Sequence, residues 1–233
     1  MKKRGLFGNP YFIIAFSFFM IIFLGTILLC LPISSKSGEA TQVVNSLFTA
    51  TSAVCVTGLV VENTAEYWSL YGQIIIIILI QLGGLGFMTI ATAGLVLIGR
   101  KIGIKDRIII KEQLNQESLS GIVKLVKSVI FLTFLIEGAG AVLLMIRFIP
   151  EYGIKTGLWY SIFHSISGFC NAGFDILGNS IVPYKNDLLI NLTIAGLIIL
   201  GGLGFTVMSD IKKNYRTKRF SLHTKIVFIT TFL

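Results

Sequence analysis

The stretch Phe48-Thr-Ala-Thr-Ser-Ala-Val-Cys-Val-Thr-Gly58 returns 115 residues later as Phe163-His-Ser-Ile-Ser-Gly-Phe-Cys-Asn-Ala-Gly173. Phe48 pairs with Phe163, Ser52 with Ser167, Cys55 with Cys170 and Gly58 with Gly173, and just upstream Ser46 pairs with Ser161. Further on, Leu82-Gly-Gly-Leu-Gly-Phe87 recurs as Leu200-Gly-Gly-Leu-Gly-Phe205, at an offset of 118. Similarity at a fixed period marks a repeated structural unit. The semi-apolar runs before the two glycines, Val43–Ala53 and Gly157–Gly168, are 11 and 12 residues long. As helices they reach about 18 Å, against roughly 30 Å of bilayer hydrocarbon. They are therefore too short to span, and they read as surface or re-entrant helices.

Around these stretches lie runs long enough to span: Tyr11–Ile33, Gln73–Ile98, Val129–Ile149 and Leu188–Met208. The 233 residues are 54% hydrophobic and 13% charged, with a mean hydropathy of +0.84. A soluble domain carries roughly 25% charge, so this composition excludes a soluble enzyme, a disordered tail and a nucleic-acid module. Lys2, Lys3 and Arg4 before an apolar run imitate a signal peptide, but the run reaches Ile33 without a small-residue cleavage site and reads as an uncleaved anchor. Loop 34–72 sets Lys36 against Glu39, Glu62 and Glu66, and loop 150–187 sets Lys155 and Lys185 against Glu151, Asp175 and Asp187. Loops 99–128 and 209–225 are instead net basic, at +4 and +5. The positive-inside rule then puts the N-terminus in the cytoplasm. A last apolar run from Ile226 to Leu233 is too short to cross, and it reads as the start of a third repeat in a longer protein.

The expected fold is an all-α integral membrane protein of two parallel span–pore helix–span repeats. Residues 1–99 form the first repeat, 100–128 a cytoplasmic linker, 129–208 the second repeat, and 209–233 a cytoplasmic loop and the start of a third. A short helix that dips in and returns as extended chain exposes backbone at membrane depth. Such backbone survives only if it is buried or lines a water-filled path. Carbonyl oxygens there can replace the hydration shell of a monovalent cation. The turns Val54-Cys-Val-Thr-Gly58 and Phe169-Cys-Asn-Ala-Gly173 hold no carboxylate, which favours carbonyl coordination over a ring of charged side chains. Gly58 and Gly173 suit the positive φ or close approach that such a turn needs.

These motifs, with Gln81-Leu-Gly-Gly-Leu-Gly-Phe87 and Ser221-Leu-His-Thr-Lys225, resemble the Trk/Ktr/HKT superfamily of potassium transporters, and in particular the membrane subunit of bacterial Ktr systems. The resemblance covers the whole chain and implies two of the family's four repeats. It implies that Gly58 and Gly173 are filter glycines, and that the carbonyls of Val54, Cys55, Val56, Thr57 and of Phe169, Cys170, Asn171, Ala172 face K⁺. It further implies potassium uptake across the bacterial plasma membrane, with Na⁺ as a coupling or activating ion and no organic cofactor. It also implies a homodimer, and a cytoplasmic ring of nucleotide-binding regulatory subunits docked on the basic loops. The alternatives are a non-conducting structural or assembly protein, or a fragment without function. The gating loop of the family belongs to a third repeat and falls on no residue here.

The remaining polar residues suggest no enzyme, since no Ser/His/Asp set and no paired carboxylates are present. Glu137 lies inside the third span, where an acid is a functional candidate or a helix-to-helix hydrogen-bonding group. Arg147 is expected to snorkel or to pair with Glu151 one turn on. His164 is expected on a helix surface, and His223 as a fold determinant or regulator contact. Cys55 and Cys170 read as packed or backbone-contributing residues. The glycines at 83, 84 and 86 read as close-packing positions rather than a phosphate loop, because no βαβ pattern surrounds them.

Overall fold

A computed structural model describes residues 10–86, 89–90, 92, 94, 103–113, 121–214 and 220–233. Helix α1, Pro10–Cys30, is a span of 21 residues, or about 31 Å at 1.5 Å per residue. It is apolar all round, and Phe16, Phe19 and Phe23 face outward, as a lipid-facing helix requires. A short 3-10 turn, Pro32–Ser34, leads to the pore helix α2, Val43–Val54. One helical turn, α3 at Thr64–Tyr67, precedes α4, Leu70–Leu85. One end of this repeat is closed by backbone. The Lys36 amide donates to the Tyr67 carbonyl and the Ser69 amide to the Ser34 carbonyl, each at 2.9 Å, over a fully buried Trp68.

After α5, Ile104–Gln113, the second repeat begins with α6, Ile122–Phe169. This helix is broken at Gly153, whose φ of 77° and ψ of 168° lie outside the helical region. The arm after Gly153 folds back, so that Gly157 meets the backbone of Phe148 and Ile149. α6 is thus a span and a pore helix joined by one residue. A 3-10 turn at Val182–Tyr184 leads to α7, Leu188–Gly202, and then α8, Phe205–Asn214, and α9, Leu222–Phe232. Among the described residues there is no strand, only an isolated bridge between Ser35 and Trp68.

The duplication holds in three dimensions. α4 and α7 start 118 residues apart, with Ser69 and Asp187 as their N-caps; Ser69 Oγ accepts from the Gly72 amide and Asp187 from the Leu189 and Ile190 amides. Gly25 packs against Ala50 and Leu79, as Gly140 packs against Ser165 and Leu197, at the same two offsets. The two units share a core. Phe163, Ala172, Phe174 and Ile176 of the second pack with Leu29, Val54, Ile76 and Ile80 of the first. Across this seam Trp159 Nε1 donates to Gln73 Oε1 at 2.8 Å, and Asn63 Nδ2 to the Gly178 carbonyl at 3.0 Å.

Several boundaries differ from those read in the sequence. The second span was expected to run from Gln73 to Ile98, yet α4 stops at Leu85 with Gly86 at φ 77°. The fourth was expected to reach Met208, but α7 ends at Gly202 and α8 leaves it at 95°, with Gly204 at φ 84°. The third glycine of each Leu-Gly-Gly-Leu-Gly-Phe run therefore breaks a helix, which an apolar run alone does not reveal. α6 starts at Ile122 rather than 129, α5 lies inside the linker, and α8 crosses the boundary at 208/209. Lys2, Lys3, Arg4, Phe87, Arg100, Lys101, Glu117, Arg216, Lys218 and Arg219 lie outside the described residues.

Candidate functional site

Each pore helix ends in the same turn. In the first, the amides of Cys55, Val56 and Thr57 donate to the carbonyls of Thr51, Ala53 and Ser52 at 2.8, 3.3 and 3.0 Å. In the second, the amides of Cys170, Asn171 and Ala172 donate to Ile166, Gly168 and Ser167 at 2.9, 3.1 and 2.8 Å, the same pattern 115 residues on. Bare amides at membrane depth each cost several kcal/mol, and this turn satisfies three in a row. The carbonyls of 55–57 and 170–172 accept no hydrogen bond among the described residues. Each short helix ends at its turn, where its C-terminus carries about half a negative charge. The arrangement is suited to a cation.

The backbone repeats as well. Val56 and Asn171 sit at φ 53° and 57°, and Gly58 and Gly173 at φ 74° and 73°. The two turns touch. A Cβ on Gly58 would lie 2.7 Å from the Ala172 carbonyl oxygen and 3.2 Å from the Gly173 Cα. Hydroxyls brace each turn from behind, Ser52 Oγ with Thr57 Oγ1 at 2.8 Å, and Ser167 Oγ donating to the Phe174 carbonyl at 2.6 Å. The carbonyls of Val54 and Phe169 differ from the rest. They press on Gly83 and Gly201, where an added Cβ would overlap the oxygens. These glycines let the last turn of each short helix approach closely, as the close-packing reading of the sequence had it.

Other residues singled out in the sequence find specific partners. Arg147 Nε pairs with Asp187 at 3.0 Å, across to the cap of α7, rather than with Glu151. His164 is buried rather than on a helix surface. Its Nδ1 meets the Tyr160 carbonyl at 2.7 Å and its Nε2 accepts from the Ile176 amide at 3.5 Å. The first of these makes Nδ1 the protonated nitrogen, so the ring ties the pore helix to the chain leaving the turn. Asp175 accepts from the amides of Leu177, Gly178 and Ser180, which shapes that exit. A cavity of about 260 Å³ opens beside it, lined by His164, Asn171, Gly173, Asp175 and Ile198. Cys55 is exposed and Cys170 half-buried. Sequence reasoning did not single out Gln81 for itself, although it heads the first glycine motif; it bonds Glu137 across the seam. Among the described residues no group of three or more His, Cys, Asp or Glu could hold a metal ion.

An all-α membrane protein with two copies of a long apolar helix, a short helix ending in a matching turn, and a further apolar helix is the class defined by this geometry. The profile of the TrkH family, described as cation transport protein, matches residues 6–233, and the chain belongs to that family. It is similar to the potassium/sodium uptake protein NtpJ of Enterococcus hirae, with 46% identity over 100% of this chain and 52% of the relative. It is also similar to the Ktr system potassium uptake protein B of Bacillus subtilis, at 44% identity over 97% of this chain and 50% of the relative. The protein of the same name from Vibrio alginolyticus is 41% identical over 99% of this chain and 50% of its own length. The chain spans about half the length of these curated relatives.

Proposed function

We propose that this chain supplies two quarters of a potassium-translocating path, in which K⁺ exchanges its water shell for backbone carbonyls of the turns 54–58 and 169–173. The observation that carries this reading is the matched pair of turns, with amides bound to their pore helices, carbonyls left open, and Gly58 against Gly173. Within each turn the coordinating oxygens are those of 55–57 and 170–172. Val54 and Phe169 mark the inner limit, because their carbonyls lie against Gly83 and Gly201. No covalent chemistry is performed; the barrier falls because preplaced dipoles replace hydration.

The names of the relatives support uptake of potassium, and the Enterococcus name supports sodium as a second ion or coupling ion. The Ktr system names support a multi-component assembly. In our reading the protein is a homodimer in a bacterial plasma membrane with its N-terminus inside, and a nucleotide-binding ring docks on the basic inner segments. The test is radioactive rubidium uptake by a bacterium lacking its own K⁺ uptake, with the protein expressed from its complete reading frame. Gly58→Asp should abolish uptake and leave membrane insertion unchanged. Uptake retained by that variant would remove the filter assignment.

A further inference from the structure

Behind the second turn lies a buried polar chain that the carbonyl reading does not use. Glu137, 4% exposed, sits in the middle of the first arm of α6. Gln81 of α4 donates through Nε2 to both of its carboxyl oxygens, at 3.0 and 3.2 Å. A carboxyl group taking the amide nitrogen fixes which way the amide faces. Its oxygen is then left toward Cys170, whose Sγ is 3.8 Å from Gln81 Oε1. Gly84 closes the other side of the thiol, with room for no Cβ: one there would lie 2.7 Å from Sγ. Ser165 Oγ, on the pore arm, donates to the backbone carbonyl of Glu137 itself at 2.6 Å.

The first repeat builds the same turn without these groups. At an offset of 115, Glu137 corresponds to Ile22 and Ser165 to Ala50. The chain of polar groups is therefore not what makes the turn. It is a contact between repeats that ends on the residue opening the second turn. We propose that Glu137 and Gln81 are positioning residues that hold the second filter turn through the Cys170 thiol, so that ion discrimination by repeat two depends on a helix of repeat one. This rests on the filter reading above, and it adds the seam as the element that holds the second turn in place.

Two readouts test it on the protein expressed from its complete reading frame, with Cys30→Ser and Cys55→Ser leaving Cys170 as the thiol followed. The first is the rate at which a methanethiosulfonate reagent labels Cys170 in lipid nanodiscs. The second is rubidium uptake against sodium competition. Glu137→Leu and Gln81→Leu should each speed labelling by roughly three- to tenfold, the factor expected for an interhelical hydrogen bond in a membrane, and lower the rubidium preference. Glu137→Gln keeps the size of the side chain and guards against loss of folding; it should give a partial effect of the same sign. The reciprocal swap, Gln81→Glu with Glu137→Gln, should restore both readouts, which a general packing role would not produce. Labelling unchanged in the single variants overturns the proposal. Faster labelling with an unchanged rubidium preference overturns its link to discrimination. Should Gly58→Asp retain uptake, the filter reading fails, while labelling still decides whether the pair holds the turn.

Discussion

Val56 and Asn171 occupy the same place in the two turns but meet the left-handed backbone at different cost. Asn tolerates positive φ, whereas a β-branched residue there is a steric outlier costing about 1–2 kcal/mol. With Val56 at φ 53° and Asn171 at φ 57°, Val56→Asn should raise the thermal unfolding midpoint in detergent and Asn171→Val should lower it. The opposite order would show that side-chain packing, not backbone strain, governs the turn. The glycines divide just as sharply. Gly83→Ala drives a methyl into the Val54 carbonyl, while Gly196 has nothing within 4 Å of a Cβ. Gly83→Ala should therefore lower the unfolding midpoint and reduce rubidium uptake. Gly196→Ala should leave uptake alone and stabilise by up to about 1 kcal/mol through helix propensity.

Among the elements, the junction of α8 and α9 rests on one carboxylate. Asp210 accepts from Thr224 Oγ1 at 2.6 Å, from the Ser221 amide at 2.9 Å and from Asn214 Nδ2 at 2.6 Å. Ser221 in turn caps α9 by accepting from the Thr224 amide. The Thr224 hydroxyl first, and then the Ser221 amide, hold the Asp210 carboxyl down to about 2. Its folded pKa lies below the unfolded value near 4, so its contribution is full above pH 4 and fades as pH falls toward 2. Asp210→Asn should lower the unfolding midpoint at pH 7 and bring the wild type and variant together near pH 2; an equal gap at both would discard the carboxylate's role. The motif Ser221-Leu-His-Thr-Lys225 was legible as a motif, but its roles fall on Ser221 and Thr224, while His223 is exposed. Spans one and three, the two half-length helices and the two turns were also legible, because length and internal repetition carry them. The breaks at Gly86 and Gly204 were not, since a glycine in an apolar run reads equally as packing. Nor was the Arg147–Asp187 pair, because helical spacing offers Glu151 first and sequence is silent on partners 40 residues away.

At the scale of the whole molecule, the two repeats are held by a mixed apolar core and a few polar ties. Replacing Trp159 by Phe removes the donor to Gln73 while keeping an aromatic side chain, and Gln73 is buried. An unpaired buried amide oxygen costs about 1–3 kcal/mol. Trp159→Phe should therefore lower the unfolding midpoint, and hydrogen exchange should rise in α4 and in the arm after Gly153 together. Exchange rising in one of them alone would mean that the seam is not a cooperative unit. None of this seam was legible in the sequence, which shows that two units exist but not which faces meet.

The two pore helices are also tethered differently: the first follows the connection 31–42, the second follows Gly153 alone. In kinetic terms, a one-residue elbow closes a hairpin with almost no loop entropy to lose, whereas a longer connection must be ordered before its helix can dock. The later-synthesised repeat thus has the faster local closure. The first pore helix gains its core neighbours Phe163 and Phe174 only after that hairpin has formed. Assembly should then run against the direction of synthesis, with the second repeat serving as the template on which the first is completed.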